Sequence, residues 1–362
     1  MHRQTWLEID LAKIKYNIQQ IQAIQKKDII AVLKANAYGC GDVEIAHFLK
    51  SMKINFIAVS SVDEAIVLRE HDFQGKILVL GGSSCTDIDI LKKYHITVTA
   101  YSLAWVQSFI KYDLNGIDIH LKVDTGMNRI GFDNTATLVT AMNLLQQKKA
   151  NIEGIFTHYY LADTDDKTTN RQFNDFKKIV LSLHYPFQYI HADNSDASLS
   201  FKDTFTNAIR LGIGLYGYCA KNKILKEALS LYTKPIMIKE VLPGETIGYG
   251  ASYKATTKET IATLPIGYAD GLLRINQGRK VFFNGHYGTI VGRICMDQCM
   301  VKVDHPINLN DTVEIFGQHI SLMTMAKEIN TIPYEIITLL SSRVTRIYKN
   351  IDQQKEENWR YL

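Results

Sequence analysis

Between residues 28 and 212 the chain repeats one pattern: a short run rich in β-branched residues, a polar or Gly-containing turn, and a segment of helical period. Eight such runs occur, at 29–33, 56–59, 77–80, 96–98, 117–121, 152–156, 189–191 and 208–211. The segment 62–71 is typical of what lies between them, with Ala65, Ile66 and Leu68 at helical spacing. Neighbouring parallel strands need crossover connections, usually helices. Eight alternating units in roughly 185 residues therefore predict a (β/α)8 TIM-like barrel. A doubly wound open sheet is the structural rival.

Near residue 233 the pattern changes to short strands with turn signals, at 235–241, 260–264, 281–283, 289–295, 300–303 and 312–315. Pro243-Gly244 and Asn284-Gly285 punctuate them. The expected fold is thus an α/β chain in two domains, a barrel over 1–232 and a mostly β domain over 233–362. Residues 1–9 are a candidate strand for the second. A length of 362 residues fits about two domains at roughly 100–200 residues each.

A net charge of +4 is too dilute over this length to argue for a polyanionic partner, and no Lys/Arg cluster is interleaved with aromatics. No nucleic-acid partner is expected. No stretch approaches the roughly 18 apolar residues needed to span a bilayer, so no membrane partner is expected either. Glu8 and Asp10 fall where a signal peptide needs an apolar run, which predicts a cytoplasmic protein. Cys40, Cys85, Cys219, Cys295 and Cys299 form no CxxC pair, so reduced thiols and no metal site are expected.

In a (β/α)8 barrel the functional groups collect at the C-terminal ends of the strands. Polar residues there are Lys34 after the first strand, Lys122, Asp124 and Arg129 after the fifth, and His158 after the sixth. His191, Asn194 and Ser195 follow the seventh, and Arg210 lies in the eighth. Lys34 follows an apolar strand, and burial lowers an amine's pKa as a Schiff-base nucleophile requires. Without further context a Lys snorkelling at the rim is the plainer reading. Gly212-Ile213-Gly214 follows the eighth strand, where barrels commonly bind phosphate through backbone N–H groups. A phosphate anchor with the Ser195 hydroxyl, facing an amine, suggests pyridoxal 5'-phosphate (PLP), whose aldehyde needs a Lys.

From AVLKANAYG at 31–39 onward the sequence resembles the bacterial alanine racemase family over essentially its whole length. The strings that carry the resemblance are KVDTGMNRIG at 122–131, TH at 157–158, NS at 194–195, RLGI at 210–213, GYGA at 248–251, GYADG at 267–271 and GRICMDQ at 292–298. The resemblance implies a PLP barrel followed by a β domain and a homodimer with shared active sites, acting on a small amino acid. Lys34 would hold PLP covalently and, once freed by substrate, act as base on one face of Cα. Tyr249, from the second domain of a partner subunit, would be the opposite base with Arg293 beside it. Racemisation needs such a pair because one face loses a proton while the other gains one.

The same resemblance implies that Arg210 faces the pyridine nitrogen, that His191 holds that Arg, and that His158 lies against the cofactor ring. A guanidinium does not readily give up a proton, so the nitrogen would stay unprotonated and the ring a weaker electron sink. Arg129 would meet the cofactor phenolate and the substrate carboxylate. Lys122 would support Arg129, and is carbamylated in some members. Tyr38, Ser195 and the N–H groups of Gly212 and Ile213 would hold the phosphate, with Asn194 beside them. Met296 would offer its N–H to the substrate carboxylate, and Tyr268 and Arg274 would line the entry corridor.

One departure stands out. Where the family usually reads Ser-Tyr-Arg-Val, this chain has Ser341-Ser342-Arg343-Val344, so Ser342 replaces a Tyr that touches the phosphate and crowds the substrate side chain. The lost phenyl volume leaves open a serine or broader racemase as the alternative to an alanine racemase. Cys40, where many members have His, is a lesser departure. A non-catalytic PLP-binding protein is the reading from another class, but such proteins usually lack the domain that would supply Tyr249.

Overall fold

The computed structural model describes residues 3–84, 87–221 and 223–350; Cys85 lies outside them. It divides into two compact units, one of Met1–Lys13, Tyr38–Cys40 and Glu227–Leu362, the other of Ile14–Ala37 and Gly41–Lys226.

Strand β1 (Thr5–Asp10) belongs to the first unit. The second unit contains β2 (Asp28–Val32), β3 (Phe56–Val59), β4 (Lys76–Val79), β5 (Ile96–Ala100), β6 (Asp118–Lys122), β7 (Asn151–Phe156), β8 (Tyr189–His191) and β9 (Ala208–Leu211). These eight form a closed parallel barrel in chain order, and pairing of β2 with β9 from Asp28↔Ala208 to Ala31↔Leu211 seals it. Each β-branched run has become one strand. Helices cover the outside, so residues such as Ile57, Ala58 and Val59 are buried whichever way they point. The helices start where side chains cap them. Ser61 accepts from the Glu64 N–H, Ser102 from Trp105 and Asn134 from Thr137.

One irregularity matters for the interior. Between β6 and β7 the register shifts: Ile119 faces Ile152, but His120 faces Gly154, leaving Glu153 as an extra residue. Such a bulge re-aims a side chain. At Gly154 an added Cβ would come within 2.5 Å of the His120 ring, so glycine is what leaves room for that imidazole.

The first unit is built on a nine-stranded sheet. In it β1 pairs antiparallel with Leu229–Thr233 and parallel with Thr345–Lys349. Asn284 and Gly285, with φ of 46° and 84°, make the two-residue turn between Lys280–Phe283 and His286–Val291. The strand expected at 289–295 ends at Val291 because Gly292 turns into the left-handed region, φ 67°, with the Ile247 carbonyl 2.7 Å from where a Cβ would lie. Val241, Ile247, Ala255, Ile261 and Val291 form a core cluster of this unit. The sequence pattern did not reveal its helices Leu322–Glu328 and Pro333–Thr338. Among the described residues Cys219, Cys295 and Cys299 are free thiols, and no helix is long and apolar enough to cross a membrane.

Replacing Gly154 by Ala forces a methyl group into the His120 ring. The Gly154→Ala variant is expected to lose about 1–3 kcal/mol of stability, read as a lowered midpoint of chemical denaturation with an unchanged slope.

Candidate active site

The backbone presents Lys34 in an unusual way. The chain is buried from Ile29 in β2 through Leu33, and then Ala35, Asn36, Ala37 and Tyr38 all take positive φ, between 52° and 58°. Lys34–Gly39 is therefore a left-handed helical turn, closed by a 2.8 Å bond from Ala37 N–H to Leu33 O. Each non-glycine residue in that conformation costs roughly 1–2 kcal/mol, and such strain persists only where the surroundings over-determine it. Glu64 supplies part of that restraint. Its carboxylate accepts from Ala35 N–H at 2.7 Å and from Ser60 N–H at 2.7 Å, and Tyr216 OH donates to Ala37 O at 2.9 Å. In the other unit Gly39 O accepts from Arg346 Nε at 2.9 Å.

Lys34 is exposed at the barrel mouth, yet its amine has a pKa below the ordinary 10.5. Partial burial is the main cause, the charge of Arg129 adds to it, and Glu64 opposes both. Lys122 is buried at the end of β6, and its pKa falls to about 8, through desolvation first and then the charges of Arg210 and Arg129. Its ammonium lies 5.6 Å from the centre of the Phe156 ring.

Arg210 is the most constrained group of the mouth. Its Nη2 donates to Thr157 O at 2.7 Å and Ala192 O at 2.8 Å and approaches His158 Nδ1 at 3.2 Å, while Nη1 donates to His191 Nδ1 at 2.8 Å. Nε takes no part in these bonds. Burial lowers its pKa to about 10, opposed by Asp193, so it stays a cation. His158 and His191 titrate well below the ordinary imidazole range, through burial and then the Arg210 charge, and are neutral.

The Ser195 hydroxyl accepts from the N–H groups of Gly212 and Gly214, both at 3.1 Å, at the entrance to the turn Ile213–Tyr216. A Cβ on Gly214 would sit 2.7 Å from Leu211 Cδ1 and 3.1 Å from Ser195 Cβ, so the backbone approaches the hydroxyl closely only because this residue is glycine. Asn194 holds the loop, its Oδ1 accepting from Ala197 N–H at 3.0 Å and its Nδ2 donating to Tyr159 O at 3.3 Å.

The remaining sequence-predicted residues lie in the first unit. Tyr249 is 69% exposed. Gly250 beside it has φ 68°, and a Cβ there would meet Arg293 Nη1 at 3.0 Å, so the Arg293 guanidinium lies against this turn. The loops of Tyr268 and Met296 bond directly, Tyr268 N–H to Cys295 O at 3.1 Å and Ala269 N–H to Met296 O at 3.0 Å. Buried Asp270 ties them together by accepting from Gly267 N–H at 2.9 Å and pairing with Arg3 at 2.6 Å and Arg343 at 3.4 Å. Arg343 also pairs with Asp297 at 2.6 Å, which anchors the segment carrying Ser342. Arg274 and Ser342 are exposed, and Tyr38 is buried edge-to-face against Tyr334.

Sequence reasoning passed over Glu64, Asp270, His120 and Glu153. A signal for His120 existed: Asp118, His120 and Lys122 alternate along β6, so His120 shares the inward face of Lys122.

Residues 9–220 match the family model described as alanine racemase, N-terminal domain, and 228–348 that of its C-terminal domain. The chain is 39% identical to an alanine racemase of Streptococcus suis, covering 96% of this chain and 99% of that one. It is 38% identical to an alanine racemase of Staphylococcus carnosus, covering 96% and 95%. Among solved structures, an alanine racemase from E. faecalis superposes with a TM-score of 0.92 at 36% identity, over 96% of this chain and 99% of that one. A histidine racemase from Leuconostoc mesenteroides superposes with a TM-score of 0.89 at 27% identity, over 96% and 99%.

An exposed amine with a lowered pKa reacts ahead of ordinary lysines. Trinitrobenzenesulfonate labelling of the cofactor-free chain, followed by peptide mapping, is expected to modify Lys34 first among exposed lysines. Arg129 disfavours the ammonium, so Arg129→Gln should move the midpoint of that reaction to higher pH.

Proposed function

This chain belongs to the alanine racemase family, and from that membership we propose that it interconverts L- and D-alanine by a two-base reaction with PLP as cofactor. The observation that carries the reading is Lys34 at the barrel mouth, an accessible amine held below its ordinary pKa beside the cationic Arg129. The donor set around it fits the cofactor. Ser195 beside the Gly212 N–H suits a phosphate, family membership adds the Ile213 N–H, Tyr38 and Asn194 as expected members, and Arg210 and neutral His158 suit an aromatic ring. When bound, PLP supplies the electron sink that makes the substrate Cα–H acidic.

The chain's own groups then divide the work. Lys34 is the base on one face, since a lowered pKa raises its neutral fraction near pH 7. Tyr249 of a partner subunit is the base on the other, and its exposure in the single chain suits that delivery. Arg293, whose guanidinium lies against the turn at Gly250, holds the segment that carries this Tyr. Arg129 and the Met296 N–H bind the substrate carboxylate, while Tyr268 and Arg274 line the entry. Arg210, gripped by two carbonyls and His191, keeps a non-acidic donor at the ring nitrogen. Lys122, whose ammonium is disfavoured by the charges of Arg210 and Arg129, supports Arg129. Its low pKa leaves neutral amine, the form that adds CO2, and a carbamate there would exchange a buried cation for an anion. The enzyme so described is a cytoplasmic homodimer whose product serves as a peptidoglycan precursor.

Tyr249→Phe is expected to lower kcat by about 10²- to 10⁴-fold while the absorbance of bound PLP persists. A purified chain with no PLP absorbance and no exchange of the L-alanine Cα proton in D2O would sink the proposal. Ser342 carries a second reading, racemisation of serine or larger amino acids as well. If its small side chain admits them, Ser342→Tyr should reduce kcat/KM for serine more than for alanine. Equal losses for both remove that reading.

A further inference from the structure

Beneath the mouth, a file of hydrogen-bonded side chains crosses the barrel interior from the C-terminal to the N-terminal ends of the strands. Arg210 can only donate, so His191 Nδ1, 2.8 Å away, accepts. A neutral imidazole that accepts at Nδ1 carries its hydrogen on Nε2, and that atom lies 2.9 Å from His120 Nδ1. His120 must therefore accept there and donate from its own Nε2, which faces Glu153 Oε2 at 3.4 Å. The other Glu153 oxygen takes the ammonium of Lys76. Every hydrogen in the file then points from Arg210 toward the carboxylate. The opposite polarity would set an imidazole N–H against the guanidinium.

We propose that Glu153 and His120 are positioning residues that act through His191 to hold Arg210 at the cofactor's ring nitrogen. The inference rests on the reading that Arg210 meets that nitrogen. Three features of the fold build the file. The bulge between β6 and β7 makes Glu153 an extra residue, Gly154 clears the space that His120 fills, and the Phe156 ring stacks on His191 at 4.7 Å. Both histidines are fully buried, which keeps them neutral, and the Arg210 charge further disfavours protonating His191. Burial opposes ionisation of Glu153, but the bonds from His120 and Lys76 outweigh it and hold the carboxyl below its usual range. Burial likewise opposes the Lys76 charge and is outweighed by Glu153, with Asp118 at 3.4 Å and the Tyr189 ring alongside. The Lys76 side chain is 26% exposed, so the charged end of the file reaches water, far from the mouth.

The test is the tautomer of each imidazole in the histidine-¹⁵N-labelled holoenzyme, read from two-bond ¹H–¹⁵N correlations and assigned with His120→Gln and His191→Gln. Both are expected as Nε2–H tautomers; an Nδ1–H tautomer at either overturns the proposal. In Glu153→Gln the amide oxygen satisfies Lys76 and the amide N–H turns to His120. The file should then invert or break at Arg210, lowering kcat/KM for alanine by about tenfold or more. Unchanged tautomers with kcat/KM within about twofold of the parent also overturn it. Should that variant not fold, the parent spectrum alone decides. A parent chain without bound PLP or racemase activity overturns the functional reading instead, because the tautomers report on the file whether or not the cofactor is present.

Discussion

A guanidinium buried at the mouth of a barrel dictates much of what surrounds it. Taking Arg210 out of water is costly unless its N–H groups find acceptors, and the carbonyls of Thr157 and Ala192 meet that demand at the ends of β7 and β8. Its backbone N–H is tied as well, donating to Asp193 O at 2.9 Å. What remains is an imidazole that must be neutral and must accept. From that one requirement follow the tautomer of His191, then of His120, and the need for a carboxylate at Glu153. A cation at one end of the barrel thus implies an anion toward the other.

The left-handed turn after Lys34 is the second place where local energetics yield to the site. Ala35, Ala37 and Tyr38 are poor residues for positive φ, and nothing in their chemistry asks for it. The turn survives because its ends and middle are bonded to Glu64, Leu33 and Tyr216. The reward is geometric, since the chain leaves a buried strand with the amine of Lys34 at the mouth instead of continuing outward. A right-handed turn of the same residues would project the side chains differently.

The eight barrel strands were legible from β-branched runs alone, because parallel strands buried on both faces need such residues regardless of partner. The Asn284-Gly285 turn was legible for the same local reason. Less legible was β1, whose two neighbours at Leu229–Thr233 and Thr345–Lys349 are more than two hundred residues away. The end of the strand at Val291 depended on a backbone approach between Gly292 and Ile247 that no periodicity reports. Candidate residues were found where family strings or strand ends marked them. Glu64, Asp270 and Glu153 were missed because each is an ordinary acidic residue until its partners are known.

The sequence by itself determined the barrel, the mostly β C-terminal part and the family, since these rest on composition patterns and strings that are local in the chain. Only the tertiary structure decided which of the polar residues are charged and which way their hydrogens point. Lys34 and Lys122 differ in exposure, and His158 and His191 are neutral because burial and the Arg210 charge disfavour their protonation. Those properties belong to distances between residues tens of positions apart. Electrostatic energy depends on separation in space and on the water excluded between charges, and neither is written along the chain.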